Sequence, residues 1–92
     1  MLISIENPDD ADLERIRACL TATAIEIEGV IESSVYDALP INNSPYRLVW
    51  DTLYADDAAL ERYRDHPYHT KDLREVFTAV SFSAATAFFA TV

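Results

Sequence analysis

Residues 63–69 hold both histidines of the chain, His66 and His69, together with Tyr63. Histidine is the side chain that most readily takes up and releases a proton near neutral pH. A phenol beside it can donate a hydrogen bond to an oxygen that gains negative charge. The three residues therefore suggest acid–base chemistry, with an imidazole as the base and a tyrosine hydroxyl as the donor.

The same residues have structural interpretations, which the sequence leaves open. His66 precedes Pro67 and could cap a helix or bond to the backbone. His69 could be a buried histidine held by one hydrogen bond, and Tyr63 could be a core aromatic residue with a solvated hydroxyl. A metal site needs at least three protein ligands, and no third ligand stands at helical spacing from the two histidines. We therefore expect no metal.

The elements that position these residues follow from hydrophobic periodicity. Two helical patterns are visible, one that starts after Asp9 and a second that starts after Asp56 and is broken at His66. Four runs favour strands, namely residues 1–5, 30–36, 46–54 and 81–92. The resulting order, β-α-β-β-α-β, predicts an α+β domain of the ferredoxin-like class with a four-stranded antiparallel sheet.

One stripe of the second helix joins His69 to apolar residues. His69 is followed by Leu73, Val76 and Val80 at spacings of four, three and four, which places them on one side of an α-helix. In the third predicted strand, alternation places Leu48 and Trp50 on the same face. If His69 shares a pocket with Tyr63, these elements predict its walls: His66, Leu48, Trp50, Leu73, Val76 and Val80.

Composition limits the classes of partner. The chain has 92 residues, 50% of them hydrophobic, which predicts a single domain over residues 1–92. Seven basic and 16 acidic side chains give a net charge of −9, which argues against binding to nucleic acid or to an anionic membrane. No signal peptide or membrane span is visible, and Cys19 is the only cysteine, so we expect a cytoplasmic protein.

The end of the chain predicts association with a second copy. Residues 76–92 contain no charged side chain, and residues 81–92 are apolar or small on both faces of the predicted strand. A strand with this pattern is buried on both sides. Helices can cover only one face of the sheet, so we expect a homodimer in which the second copy covers the other face.

The pattern Tyr-x-x-His-Pro-x-His at residues 63–69, after a strand and a short acidic helix, resembles the stress-responsive A/B barrel family, also called Dabb domains. The similarity is clearest over residues 46–69, and the order of elements fits the family over residues 1–92. The resemblance implies a dimeric α+β barrel in which two four-stranded sheets pack face to face.

The resemblance also implies roles for single residues. In a plant polyketide cyclase of this family, which needs no cofactor, the motif tyrosine and the last motif histidine line a pocket and act on the substrate. These positions correspond to Tyr63 and His69, whereas His66 corresponds to a histidine with a structural role. Leu48 stands where that cyclase has a further histidine.

We therefore expect a small homodimeric Dabb-like protein that binds a small hydrophobic carbonyl compound. As an enzyme it would be a cofactor-independent cyclase, lyase or isomerase, with His69 and Tyr63 as the acid–base pair. The alternative is a non-catalytic stress-responsive dimer with a ligand-binding or structural role. The antibiotic-biosynthesis monooxygenases share the dimeric barrel, but they do not account for the His-Pro-x-His pattern.

Overall fold

The structure is a computed structural model that describes residues 1–90. These residues contain four strands, four α-helices and one π-helix. The strands are β1 (Leu2–Glu6), β2 (Val30–Asp37), β3 (Leu48–Tyr54) and β4 (Ser81–Ala85). The helices are α1 (Asp10–Thr21), α2 (Thr23–Glu26), α3 (Asp57–Asp65), the π-helix (Tyr68–Leu73) and α4 (Arg74–Thr78). Within residues 1–90, no helix combines the length and the apolar character that a membrane crossing requires.

The strands form one antiparallel sheet in the order β2-β3-β1-β4. This order places the first and third strands in the centre, as the ferredoxin-like arrangement requires, and confirms the predicted fold class. The two predicted helix starts are also present. Asp9 caps α1 by accepting from the Asp12 N–H at 2.7 Å, and Asp56 caps α3 by accepting from the Ala59 N–H at 2.7 Å.

The core lies between one face of the sheet and the helices. Alternation along β1 and β3 directs Ile3, Ile5, Leu48 and Trp50 toward the helices, and all four are buried. The residues of α1 that meet them are Leu13, Ile16 and Leu20. Burial of each such side chain stabilises the fold by about 1.5–3 kcal/mol relative to its exposure.

The second helical region is wider than the sequence indicates. Residues Tyr68–Leu73 form a π-helix, which has more residues per turn than an α-helix. As a result, Tyr68, Leu73 and Phe77 are the buried residues, at spacings of five and four. The α-helical stripe that the sequence predicts is wrong in this respect: Leu73 is buried, whereas its other members, His69, Val76 and Val80, are only half-buried.

The last strand is shorter than predicted. β4 ends at Ala85, residues 86–90 have no regular structure, and all ten residues 81–90 are exposed in the single chain. The remainder of the predicted strand, residues 91 and 92, lies outside the described residues. Residues 81–90 therefore remain exposed in the single chain although β4 pairs with β1.

Candidate functional site

His69 and Tyr63 lie face to face at the junction of α3 and the π-helix. Their ring centroids are 4.4 Å apart, and the ring planes are inclined by 36°. Tyr63 is 6% exposed and belongs to the core, whereas His69 is half-buried at its edge. The interruption of the helix at His66 brings together two side chains that a continuous α-helix would place on different faces.

His66 produces that break. Its backbone is extended, as expected for a residue before proline, and its carbonyl accepts from the N–H groups of His69 at 2.9 Å and Thr70 at 3.0 Å. The His66 side chain adds a third bond, because its Nδ1 accepts from the Tyr68 N–H at 3.0 Å. His66 thus caps the π-helix that carries His69 and determines where this helix begins.

The hydrogen bond of the His69 ring determines which ring nitrogen is basic. Nδ1 of His69 lies 3.1 Å from the carbonyl oxygen of Arg64. A carbonyl oxygen only accepts, so Nδ1 carries the hydrogen of this bond. In the neutral ring, Nε2 then keeps its lone pair and is the nitrogen that can accept a proton.

Tyr63 packs beside a second phenol, that of Tyr54, whose hydroxyl accepts from the Thr52 hydroxyl at 3.2 Å. Burial raises the pKa of Tyr63 well above its ordinary value, and the neighbouring Tyr54 hydroxyl raises it further. Burial raises the pKa of Tyr54 as well. At neutral pH the Tyr63 phenol therefore keeps its proton and acts as a hydrogen-bond donor.

Aromatic contacts hold Tyr63 from the sheet side. Its ring centroid lies 5.3 Å from that of Tyr54 and 6.3 Å from that of Trp50. Trp50 is itself fixed, because its Nε1 donates to the Ser33 hydroxyl at 2.8 Å and that hydroxyl donates to the Leu20 carbonyl at 2.5 Å. The wall behind Tyr63 and His69 is therefore well ordered by specific bonds.

The second tyrosine of the segment, Tyr68, anchors the π-helix to α1. Its hydroxyl donates to the carbonyl of Cys19 and lies 3.3 Å from the sulfur of the same residue. Burial raises the pKa of Tyr68, and the bond to Cys19 contributes to the increase. Tyr68 thus has a structural role.

His69 and Tyr63 line a cavity of about 540 Å³ that opens to solvent. This volume is within the range typical of small-molecule sites. The complete lining is Met1, Leu20, Trp50, Tyr63, Arg64, His69, Thr70, Leu73, Arg74, Phe77, Thr78 and Phe82.

The cavity includes part of the predicted pocket. Trp50 and Leu73 are on its wall beside the two predicted catalytic residues. Leu48 is fully buried in the core, whereas His66, Val76 and Val80 are half-buried and do not contribute to the lining. In the case of Val76 and Val80, the physical reason is the π-helix, which turns Phe77 toward the site in their place.

Several lining residues had no signal in the sequence. Phe77 and Phe82, whose ring centroids are 4.7 Å apart, close one end of the cavity from α4 and β4. Met1 precedes β1 and Leu20 lies in α1, both far away along the chain. A spacing of four between Leu73 and Phe77 was the one sign available for any of them.

Comparison with known proteins supports the fold and goes no further. No protein-family model matches the chain, and no curated protein sequence matches it. Two solved structures are similar. The Arabidopsis thaliana protein At3g17210 has a TM-score of 0.72 and 15% identity, over 99% of this chain and 94% of its own.

The other structure is described as a dimeric protein of unknown function and ferredoxin-like fold from Bacteroides fragilis. It has a TM-score of 0.69 and 12% identity, over 89% of this chain and 84% of its own. The fold is ferredoxin-like. At these identities the likeness carries no function from either protein to this chain.

Proposed function

We propose that this chain is a homodimeric Dabb-like protein that binds a small hydrophobic carbonyl compound and catalyses proton transfer at the carbon next to the carbonyl. The observation that carries the proposal is the contact of His69 with Tyr63 on the wall of a largely apolar cavity of about 540 Å³. The reaction class is that of a cofactor-independent cyclase, lyase or isomerase. The Tyr-x-x-His-Pro-x-His pattern supports the family.

The chemistry needs only these two side chains. Nε2 of His69 removes a proton from the α-carbon, and the electron pair of the broken C–H bond forms an enolate. The Tyr63 hydroxyl donates a hydrogen bond to the enolate oxygen. The enolate then either attacks a second carbonyl of the same molecule or takes the proton back at another carbon. Base catalysis of this kind contributes roughly 10²–10⁴-fold to the rate.

The homodimer is supported by the uncovered face of the sheet. Strand pairing places Leu2, Tyr36 and Leu53 on the face opposite the helices, and Tyr36 and Leu53 are 56% and 45% exposed. Large apolar side chains that are exposed on a sheet face often mark protein–protein contacts, and here they lie beside the carboxylates of Glu32 and Asp51. A second copy would also cover β4, and the similar Bacteroides fragilis protein is described as dimeric.

The proposal includes a cytoplasmic location. Cys19, the only cysteine of the chain, is free and half-buried. A free thiol fits a reducing compartment.

The test is deuterium exchange at the central carbon of benzoylacetone, an apolar 1,3-diketone, followed by proton NMR in heavy water. We expect the wild-type protein to accelerate the exchange by about 10²-fold or more over buffer. His69→Gln removes the base and should abolish the acceleration, and Tyr63→Phe should reduce it. His66→Asn is the matched control, because it replaces the other histidine by a side chain that can still accept from the Tyr68 N–H.

Exchange that is unaffected by His69→Gln would overturn the catalytic proposal. An equal loss in His66→Asn and His69→Gln would also overturn it, provided that both variants are folded. Binding of the diketone is measured separately on each variant, so that a loss of binding is not mistaken for a loss of catalysis.

A second function, non-catalytic binding of the same ligand class, is favoured by one observation. Tyr63 is 6% exposed, and its ring packs against those of Tyr54 and Trp50. A hydroxyl on a side chain that is enclosed in the core is less available to an enolate oxygen. Saturable binding of benzoylacetone without accelerated exchange would support this second function.

A further inference from the structure

We propose that the ligand of this cavity is an anion, namely a flat apolar molecule with a carboxylate group that Arg64 and Arg74 bind. The inference rests on the proposed function, because it specifies the class of compound that enters the same cavity. It starts from the distribution of charge on the wall, which is opposite to that of the whole chain.

Acidic side chains outnumber basic ones by 16 to 7 in the sequence. Among the described residues that line the cavity, however, two are arginines and none is acidic. Because the protein as a whole repels anions, a local pair of guanidinium groups is what a negatively charged ligand requires in order to bind here.

The two arginines flank His69 along the chain. Arg64 is in the last turn of α3, and Arg74 is the first residue of α4. The π-helix that carries His69 lies between them. A carboxylate bound by these arginines would therefore share the cavity with the proposed base.

Neither guanidinium has a strong partner within the chain. Arg64 lies 3.7 Å from Glu61, and both side chains of this pair are well exposed, so the interaction is weak. Arg74 forms no ion pair with any residue among 1–90. Both groups are thus available to a carboxylate, which matches the planar donor geometry of arginine.

The remainder of the wall selects an apolar body. Trp50, Phe77 and Phe82 line the cavity together with Leu73. Aromatic side chains stack well on flat conjugated molecules. The cavity therefore combines an apolar aromatic interior with a cationic rim, which fits an amphipathic aromatic or conjugated acid.

The test compares trans-cinnamate with trans-cinnamamide, which have nearly the same shape and differ in charge. Binding is followed through the indole N–H signal of Trp50, the only tryptophan of the chain. In dilute salt, we expect cinnamate to bind roughly fivefold more tightly than the amide, the gain typical of partly exposed ion pairs. The preference should decrease in about 0.5 M salt, which screens such pairs.

The double variant Arg64→Gln/Arg74→Gln should lose the preference and keep the affinity for the amide, which also reports that the cavity is intact. The matched control is Arg15→Gln/Arg62→Gln, which removes the same charge from residues that do not line the cavity. This control should keep the preference.

Equal binding of the acid and the amide by the wild-type protein would overturn the inference and leave the proposed function in place. A preference that persists in the Arg64/Arg74 variant would also overturn it. If benzoylacetone, cinnamate and cinnamamide all fail to shift the Trp50 signal, the proposed function fails, and the inference fails with it.

Discussion

At the scale of single residues, the two histidines have opposite hydrogen-bond roles although they are three positions apart. Nδ1 of His66 accepts from a backbone N–H, whereas Nδ1 of His69 donates to a backbone carbonyl. The first arrangement is a cap, and the second leaves Nε2 of His69 as the basic nitrogen. The local backbone therefore assigns a structural role to one histidine and a basic nitrogen to the other.

Tyr63 provides a prediction of pH dependence at the same scale. Burial raises its pKa above the ordinary value of 10.0, so the folded protein holds this proton more tightly than the unfolded chain does. Its contribution to stability is complete below about pH 10 and is lost as the pH rises above that value. Tyr54 and Tyr68 shift in the same direction.

We therefore expect the free energy of unfolding, from urea denaturation, to fall as the pH rises from about 10 to about 11. Tyr63→Phe should reduce that fall by about 1 kcal/mol. Tyr46→Phe is the control and should leave the fall unchanged, because Tyr46 lies in the loop before β3, outside the buried core and the proposed dimer contact. An identical alkaline fall in Tyr63→Phe and the wild-type protein would show that the phenol is not buried in the folded state.

At the scale of elements, the π-helix determines which side chains line the candidate site. The buried residues Tyr68 and Leu73 are five positions apart, whereas an α-helix would bury residues three or four apart. The π-helix thereby directs Phe77 toward the cavity, where it forms part of the wall. π-Helical turns are often found at functional sites, because the extra residue redirects a side chain. His69 is within this turn, so its contact with Tyr63 depends on how the π-helix begins.

The cap of this element can be tested by substitution. His66→Ala removes the acceptor of the Tyr68 N–H and should lower the free energy of unfolding by about 1 kcal/mol, as loss of a helix cap does. His66→Asn supplies another acceptor and should recover most of the loss. Urea denaturation of both variants provides the measurement. A stable His66→Ala protein with an unchanged Tyr68 amide signal would contradict the role as a cap.

The elements also show how far the sequence leads. The helix start within residues 7–10, the cap at Asp56 and the break at His66 have local causes, and the sequence predicts all three correctly. The π-helix has no such local sign, since α-helical spacing selects His69, Leu73, Val76 and Val80 equally well. The sequence also overestimates the length of β4. An apolar run indicates that a segment is to be buried, but it does not show where the pairing with β1 ends.

The same limit applies to the candidate site. The pair of Tyr63 and His69 is visible as a short motif, and Trp50 follows from alternation in β3. Residues such as Met1, Leu20 and Phe82 reach the wall from separate elements. Their position depends on how the elements pack, which no local pattern records.

At the scale of the whole molecule, the sheet has one covered and one uncovered face. Helices cover the face with Leu48 and Trp50, whereas Leu2, Tyr36 and Leu53 remain exposed on the other. For a chain of 92 residues, a second copy on this face would add apolar burial that a single small domain lacks.

We therefore expect Leu53→Asp to convert a dimer into a monomer, because it places a charge in the centre of the proposed contact. Light scattering after size-exclusion chromatography should show the mass falling to that of one 10.4 kDa chain. Ile25→Asp is the matched control, because Ile25 is 86% exposed on the helical side. A wild-type protein that is monomeric at every concentration would contradict the proposed dimer.

The central claim is that the cavity beside His69 and Tyr63 receives a small apolar carbonyl compound. The most direct measurement is an NMR titration of the nitrogen-15-labelled protein with benzoylacetone, in which the Trp50 indole signal reports the cavity wall. We expect saturable shifts at Trp50, His69 and Phe77, with residues of the opposite sheet face, such as Leu53, unaffected. The absence of saturable shifts at Trp50 and His69, or shifts confined to the opposite face, would contradict the account.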